Sequence, residues 1–357
     1  MNIQHFHSAL SAELELTQKY IVTFSKSEDK IVDMAVQHIV GNRGKMLRPM
    51  LLILTGRCLH LDKNPDGSGE QELIEQLAKS AAILELIQMS SLIHDDVLDY
   101  SSHRRGKATL NNLRGNRFAI LVGDYLIAQS IKNCYALVRR SSRLFDTKIM
   151  FSFLDSISKL VLGEVQQNNF NYDISEEKDG IKNYFQIVEN KTASLFSLAC
   201  SVGSTIGDKD SENIEKFKEF GRNIGISYQI IDDLRDYAFD KAIAGEKNFQ
   251  DIIYGIKTLP LIHAGNNASA EEQEILNKVY NSKKEVPEAD KLEVLDILIR
   301  NGSIEHAYNE AKSHFDKARE ILSQLPNNKF SNLISEMLEN FSSHGERVVE
   351  HVISVKV

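Results

Sequence analysis

Proline is scarce in this sequence, and its placement is uneven. Only five prolines occur in 357 residues, and none falls between Pro65 and Pro260. An interior proline destabilises an α-helix by about 3 kcal/mol, so a segment this long without proline favours long helices. No stretch rich in glycine, proline and serine separates two halves of the chain. The length alone favours two domains, but this composition predicts one all-α domain over residues 1–357.

Cysteine and long apolar runs are scarce as well. The three cysteines, Cys58, Cys134 and Cys200, lie far apart in apolar segments without CxxC spacing, which predicts buried thiols in a reducing compartment. The first residues lack the basic and apolar regions of a signal peptide. No run reaches the ~18 apolar residues that a spanning helix needs. These absences predict a cytoplasmic protein without a transmembrane segment, whose contact with a membrane surface is at most transient.

Positive charge is outnumbered by negative charge. The chain has 42 lysines and arginines against 50 aspartates and glutamates, for a net charge of -8. This balance disfavours nucleic acid as a partner, because nucleic-acid binding relies on clustered cationic side chains. It does not disfavour a small anionic substrate, since bound divalent cations reverse the sign of the local charge.

Aspartates one helical turn apart end a long apolar segment. Residues 70–99 are predicted to form one long, mostly buried helix that ends in LIHDDVLD, with Asp95, Asp96 and Asp99. Asp95 and Asp99 are four residues apart and therefore lie on one helix face, where like charges repel unless a cation lies between them. This stretch predicts a metal site.

The same acidic spacing returns in QIIDDLRD, which contains Asp232, Asp233 and Asp236. Ser211 is predicted to cap the helix that leads into it. A single DDxxD pattern is more often a solvated helix end, but both patterns follow segments too apolar to be surface. Carboxylates suit Mg²⁺, which binds proteins through a few carboxylates together with substrate phosphates. Two such clusters predict a diphosphate held by several Mg²⁺ ions.

Basic side chains follow the first acidic motif directly. Arg104 and Arg105 are suited to phosphate, because guanidinium N–H groups match two phosphate oxygens at once. Other basic residues are candidates for the same task, although each alone is more often a solvated side chain. They are Lys45, Arg48, Lys191, Lys247 and Lys257.

Seven segments, taken in order, resemble the trans-isoprenyl (polyprenyl) diphosphate synthase family. They are GKMLRP at 44–49, LIHDDVLD at 92–99, RRGKAT at 104–109, GDYLIA at 123–128, KTASLF at 191–196, YQIIDDLRD at 228–236 and KTLPLI at 257–262. Together they span about two-thirds of the chain, and their combination is far more specific than any one of them. The resemblance implies the type I isoprenoid synthase fold, in which about ten or more long helices surround a central cavity.

The resemblance also implies a reaction, a homodimer and a role for each matching residue. The family ionises an allylic prenyl diphosphate, adds isopentenyl diphosphate to the resulting cation and removes a proton. The family residues that hold about three Mg²⁺ ions correspond to Asp95, Asp99 and Asp232. The family residues that contact these ions directly or through water correspond to Asp96, Asp233 and Asp236. Residues that bind the allylic diphosphate correspond to Arg104, Lys191 and Lys257. Residues that bind isopentenyl diphosphate correspond to Lys45, Arg48 and Arg105, and those beside the reacting carbons to Thr192 and Gln229.

Three positions depart from the family pattern. Seven residues before the first motif the family usually has a histidine that binds isopentenyl diphosphate, where this chain has Gln88, which donates a hydrogen bond but carries no charge. Arg235 replaces a usually apolar residue inside the second motif, and it either pairs with an aspartate or faces outward. In the late loop, Lys247 is an alternative to Lys257 as a ligand for diphosphate.

The residues one turn before the first motif bear on product length. In the family, bulky aromatic side chains at these positions stop the growing chain, whereas Ser90 and Ser91 leave the tunnel open and predict a long-chain product. Ile87, Leu84 and Ile83 are candidates for a floor further down. The alternative is that the two serines merely pack against a neighbouring helix.

Two other functions stay open at this point. The first is a terpene-synthase-like lyase that ionises a prenyl diphosphate without isopentenyl diphosphate, which Gln88 favours and the basic residues Lys45, Arg48 and Arg105 disfavour. The second is a non-catalytic subunit that partners an active synthase, which the intact acidic motifs disfavour.

Overall fold

The structure is a computed structural model, which describes residues 3–42, 44–140, 147–170, 180–209, 211–240, 243, 249–282 and 286–355. Helices make up most of the described chain, so the predicted all-α fold class is confirmed. In chain order they are α1 (Gln4–Ala9), α2 (Ser11–Ser25), α3 (Lys30–Val40), α4 (Leu47–Lys63), α5 (Glu70–Leu98), α6 (Leu110–Arg114), α7 (Asn116–Arg140), α8 (Thr147–Phe170), α9 (Gly180–Val188), α10 (Ser194–Gly207), α11 (Asn213–Asp236), α12 (Gln250–Ile253), α13 (Leu259–Asn267), α14 (Ala270–Ser282), α15 (Glu288–Arg300), α16 (Ser303–Ser323) and α17 (Lys329–Ser354). A π-helical turn, Glu189–Ala193, joins α9 to α10, and a short antiparallel hairpin pairs β1 (His103–Arg104) with β2 (Lys107–Ala108).

The predicted buried helix over residues 70–99 is confirmed as α5. It packs against α2, α4, α7 and α10. Every apolar side chain between Leu77 and Ile87 is buried, and a helix that is apolar on all sides is stable only when other elements surround it. The surrounding helices therefore fix α5 in place, and with it the acidic motif at its C-terminal end.

Helices α4 and α10 approach closely because small residues line their contact. A methyl group added at Gly203 would lie 2.0 Å from the carbonyl oxygen of Leu52, and one at Gly207 would lie 2.2 Å from that of Gly56. The two backbones therefore touch at these glycines, and a larger side chain would force the helices apart. This contact fixes the position of α10, which follows the π-helical turn directly in the chain.

Helix α11 carries the second acidic motif and packs against α10 and α16. The prediction that Ser211 caps this helix is wrong, because the N-cap is Glu212, which makes no side-chain capping bond. The Ser211 N–H donates to the carbonyl oxygen of Asp208 at 3.1 Å, and its hydroxyl accepts from the N–H of Asn213 at 3.1 Å. Ser211 therefore lies in a turn before the helix.

The cysteines and the lengths of the helices bear on two further predictions. The three cysteines are buried and unbridged, and burial raises the pKa of Cys58 to about 11, which keeps that thiol protonated. In the part of the chain that the structure describes, the helices are too short or too polar to cross a bilayer. The candidate Lys247 lies outside the described residues.

Candidate active site

A cavity of about 1380 Å³ opens where α5, the π-helical turn and α11 meet. It brings together most of the residues that the sequence singles out. From the acidic motifs it is lined by Asp95, Asp99, Asp232 and Asp233. Its polar and basic lining includes Lys45, Arg48, Gln88, Arg104, Arg105, Lys191, Thr192, Gln229 and Lys257. The candidates for product length that line it are Ile87, Ser90 and Ser91.

Asp96 and Asp236 lie outside this lining and make structural contacts instead. Asp96 is buried and accepts a hydrogen bond from Nε of Arg104 at 2.7 Å, which orients that guanidinium at the cavity. The fully buried carboxylate of Asp236 accepts from the backbone N–H groups of Gln250 and Asp251 at 2.9 and 3.0 Å. Asp236 thereby fastens the beginning of α12 to the end of α11.

The first motif presents carboxylates that are costly to keep charged. Burial raises the pKa of Asp99 to about 6, with Lys191 opposing the shift and Asp95 and Asp251 adding to it. In the described part of the chain, Oδ1 of Asp95 is buried without a hydrogen-bond partner. A buried carboxylate oxygen in this state is a strong acceptor that a cation can satisfy.

Lys191 lies near enough to Asp99 to oppose the raised pKa of that carboxyl group, and it pairs with Glu164 of α8. The ammonium group forms an ion pair with Glu164 and lies 3.5 Å from Oε1 of Gln167. Burial lowers the pKa of Lys191, but Asp95 and Glu164 outweigh burial and raise it. Burial and Asp95 raise the pKa of Glu164 to about 7. Sequence reasoning missed Glu164, since only the fold brings α8 beside the π-helical turn.

A chain of hydrogen bonds runs from the π-helical turn to the second motif. The hydroxyl of Thr192 donates to Oε1 of Gln229 at 2.6 Å, and Nε2 of Gln229 donates to Oδ1 of Asp233 at 2.8 Å. The other carboxylate oxygen of Asp233 accepts from the hydroxyl of Tyr184 at 2.6 Å. These contacts fix the orientation of the Gln229 amide. Tyr184, which the sequence did not single out, thus completes the network from α9.

Two more cations line the cavity, Arg235 and Lys257. Nη1 of Arg235 donates to Oδ1 of Asp232 at 2.7 Å, so of the two alternatives for Arg235 the pairing with an aspartate is the observed one. Lys257 is buried, with Nζ 4.7 Å from the ring centre of Phe170. At this distance an aromatic ring stabilises a buried ammonium group.

The other end of the cavity is crowded with positive charge. Arg48 is partly buried with its guanidinium 4.5 Å from the ring centre of Phe196, and Nη1 of Arg105 donates to the carbonyl oxygen of Asn42 at 2.9 Å. Burial lowers the pKa of both guanidinium groups, and Glu85 opposes this. Glu85 is a buried carboxylate that the sequence did not indicate. It balances part of the charge in this end of the cavity.

The cavity continues as an apolar wall beyond Ser90 and Ser91. The hydroxyl of Ser90 donates to the carbonyl oxygen of Gly123 at 2.8 Å, so this serine both lines the cavity and packs against α7. Ser91 donates to the carbonyl oxygen of Gln88 at 3.0 Å. Ile83 and Leu84 are buried in the core away from the lining. The wall that the sequence missed comes from α7 and α8, with Ile127, Ala128, Ile131, Ile157, Leu160 and Val161.

These donors fit Mg²⁺. Asp95, Asp99 and Asp232 supply carboxylate oxygens to one cavity, and the unsatisfied oxygen of Asp95 needs a cation. Among the described residues, no three histidine, cysteine or acidic side chains are placed to hold a metal by themselves. Mg²⁺ binds through a few carboxylates and substrate phosphates, so it does not require such a cage.

The raised pKa of Asp99 predicts a pH-dependent stability. Because its folded-state pKa of about 6 exceeds the ordinary 3.8, the charge on Asp99 destabilises the metal-free fold as pH rises through about 6. Asp99→Asn is therefore expected to raise the Tm at pH 8 and to leave it unchanged near pH 4. Calorimetry in chelator measures this, with Asp155→Asn, an exposed carboxylate paired with Lys159, as control. A difference in Tm that is constant between these pH values would contradict it.

Comparison with known proteins gives consistent matches over nearly the whole chain. The polyprenyl synthetase family model matches residues 29–298. A geranylgeranyl diphosphate synthase of Saccharolobus solfataricus is 30% identical over 325 residues, which cover 90% of this chain and 92% of that protein. The heptaprenyl diphosphate synthase component 2 of Geobacillus stearothermophilus is 26% identical, covering 94% and 97%. The crystal structure of a decaprenyl diphosphate synthase from Rhodobacter capsulatus aligns with a TM-score of 0.81 at 27% identity, covering 98% of this chain and 99% of that one.

Proposed function

Because the chain belongs to the polyprenyl synthetase family, it is a trans-prenyltransferase, and we propose that it joins isopentenyl diphosphate to an allylic prenyl diphosphate to make a long-chain all-trans product. One observation carries this proposal. Both acidic motifs and the basic residues line one cavity, which continues into an apolar wall between α5, α7 and α8. Such a cavity suits a diphosphate at one end and a hydrocarbon chain at the other.

The residues of the site divide into three tasks. Asp95, Asp99 and Asp232 would hold about three Mg²⁺ ions. Bound Mg²⁺ supplies the positive charge that neutralises a leaving diphosphate. The allylic diphosphate would be bound by Arg104, Lys191 and Lys257. Isopentenyl diphosphate would be bound at the basic end by Lys45, Arg48, Gln88 and Arg105.

Thr192 and Gln229 act through their fixed dipoles. The hydrogen bonds from Thr192 through Gln229 to Asp233 hold oxygen atoms beside the place where positive charge develops on the allylic carbon. The apolar wall keeps water away from that carbon. Otherwise water would attack the allylic cation and convert it to an alcohol. In this account the protein contributes no covalent nucleophile.

A product assay tests the proposal against its two alternatives. The protein is incubated with Mg²⁺, farnesyl diphosphate and labelled isopentenyl diphosphate, and the products are separated by chain length. Label in a prenyl chain longer than the primer supports elongation. Cyclic or hydrolysed product without label would identify a lyase, and no turnover without a second protein would identify a partner subunit.

The length of the product is expected to depend on the cavity wall beyond the first motif. Ser91→Phe and Ala128→Phe place a ring in the space between α5 and α7, so each should shift the main product to a shorter prenyl chain. Ser90→Ala is the control, because it removes the hydrogen bond to Gly123 without filling the cavity. Chromatography of the dephosphorylated products measures this. Unchanged product length in both phenylalanine variants would contradict the tunnel.

The predicted homodimer also has support. Apolar side chains on the neighbouring helices α7 and α8 are exposed, among them Leu121 at 65%, Phe151 at 68% and Val165 at 50%. Exposed apolar side chains clustered on adjacent helices are typical of a protein interface. Sedimentation velocity tests this, and a monomer at all concentrations would contradict it. The single domain over residues 1–357 and the cytoplasmic localisation stay predictions.

A further inference from the structure

Arg235 places a cation inside the second acidic motif, at the last turn of α11. Nη1 donates to Oδ1 of Asp232 at 2.7 Å, and Nε donates to the carbonyl oxygen of Ile243 at 3.1 Å. Its side chain is 21% exposed and lines the main cavity. Two hydrogen bonds from different edges of a planar group fix the direction of that plane. The guanidinium is therefore held at the cavity in a defined orientation.

Arg235 lies at the basic end of the cavity, beside Lys45. The two side chains line the main cavity together and also share a second, small cavity with Tyr228 and His344. Burial lowers the pKa of Lys45, and the charge of Arg235 lowers it further. Asp232 opposes this shift, while Arg105 adds to it. Three cations thus converge at one place in the cavity, where mutual repulsion favours an incoming anion.

The neighbouring groups explain why a further cation is useful here. Arg48 is stacked on Phe196 and Glu85 balances part of the charge beside it. Gln88 contributes hydrogen bonding without charge, and its Nε2 lies 3.4 Å from the hydroxyl of Ser91. A diphosphate carries several negative charges, and charge-assisted hydrogen bonds to it are about twice as strong as neutral ones.

We propose that Arg235 binds the diphosphate of isopentenyl diphosphate together with Lys45 and Arg105, and that Asp232 orients it for this task. The inference rests on the proposed function, in which isopentenyl diphosphate occupies the basic end of the cavity. Arg235 supplies a positive charge from α11 to the cavity that the uncharged Gln88 of α5 also lines. It also makes the last turn of the second motif part of the substrate pocket.

Isothermal titration of isopentenyl diphosphate alone, in chelator and without an allylic substrate, tests this apart from turnover. Arg235→Leu is expected to raise the Kd by roughly 10- to 100-fold, as expected for a lost hydrogen bond to a charged group. Arg235→Lys should retain part of the affinity. Arg105→Leu, in the same pocket, should weaken binding to a similar degree. Arg300→Leu, an exposed arginine paired with Asp296 on α15, should change nothing.

The outcomes separate the inference from the function on which it rests. An unchanged Kd in Arg235→Leu, with weaker binding in Arg105→Leu, would overturn the role of Arg235. An unchanged Kd in both variants would overturn the assignment of the pocket, and the inference with it. A lower Mg²⁺ requirement in Arg235→Leu with unchanged substrate binding would identify Arg235 as a competitor for Asp232. If Arg235→Leu fails to fold, the Kd of Arg235→Gln is compared with that of Arg235→Lys instead.

Discussion

Asp95→Asn is expected to lower kcat/KM by about 10²–10³-fold or more, the loss typical when one group that stabilises developing charge is removed. The reason lies in the position of the carboxylate. Asp95 lines the cavity one turn from Asp99, and one of its oxygens is buried without a hydrogen-bond partner in the described part of the chain. Asparagine keeps the shape but removes the charge that would hold Mg²⁺.

Steady-state kinetics over a range of Mg²⁺ concentrations measures this loss. The Mg²⁺ concentration for half-maximal rate should rise along with the fall in kcat/KM, because the substitution removes a ligand. Asp155→Asn is the matched control, since Asp155 is an exposed aspartate paired with Lys159 on α8. Activity of Asp95→Asn within a factor of about ten of wild type would remove Asp95 from the metal site.

Lys191→Met is expected to affect both turnover and stability. Lys191 lies between Glu164 of α8 and the first motif, and its ammonium group compensates the partly buried carboxylates there. Its loss should lower kcat by about 10²-fold, as expected when a positioned charge near the reacting group is removed. The free energy of unfolding of the metal-free protein should fall by about 1–3 kcal/mol, because Glu164 loses its partner.

A second substitution separates these two effects. Glu164→Gln combined with Lys191→Met removes the uncompensated carboxylate, so the double variant should regain most of the lost stability but none of the activity. Urea unfolding in chelator and product assays measure the two quantities. Recovery of activity in the double variant would show that Lys191 only supports the fold. Equal stability of the single and double variants would show that the pair with Glu164 is not coupled.

The sequence predicted most reliably what depends on local pattern. The absence of proline and the long apolar content of residues 70–99 indicated α5, because a helix that is apolar on all sides is stable when other elements surround it. The acidic motifs were located by spacing alone, and the structure brings four of their six aspartates to the cavity. The spacing of the motifs does not indicate which of these aspartates reach the cavity. Asp96 and Asp236 instead bind Arg104 and the beginning of α12.

What sequence reasoning missed depends on contacts between distant helices. Glu164 and Tyr184 are ordinary residues in their own helices, and only packing places them beside Lys191 and Asp233. The product wall was predicted from α5 alone, whereas α7 and α8 supply most of its apolar side chains. Ser90 was given two alternative roles, and it has features of both, since a small residue lets α7 approach and leaves space as well.

The hydrogen bonds from the beginning of α12 to Asp236 affect how the second motif should be compared between members of the family. The two DDxxD motifs look like repeats of one device, but their third aspartates are under different constraints. Asp99 lines the cavity and is proposed to bind Mg²⁺, whereas the carboxylate of Asp236 is fully buried and accepts hydrogen bonds from two backbone N–H groups. We therefore expect the residue at position 236 to depend on the conformation of the segment that begins α12, and not on the substrate. Counting identical residues in the two motifs would then overstate how many catalytic roles two distant members of the family share.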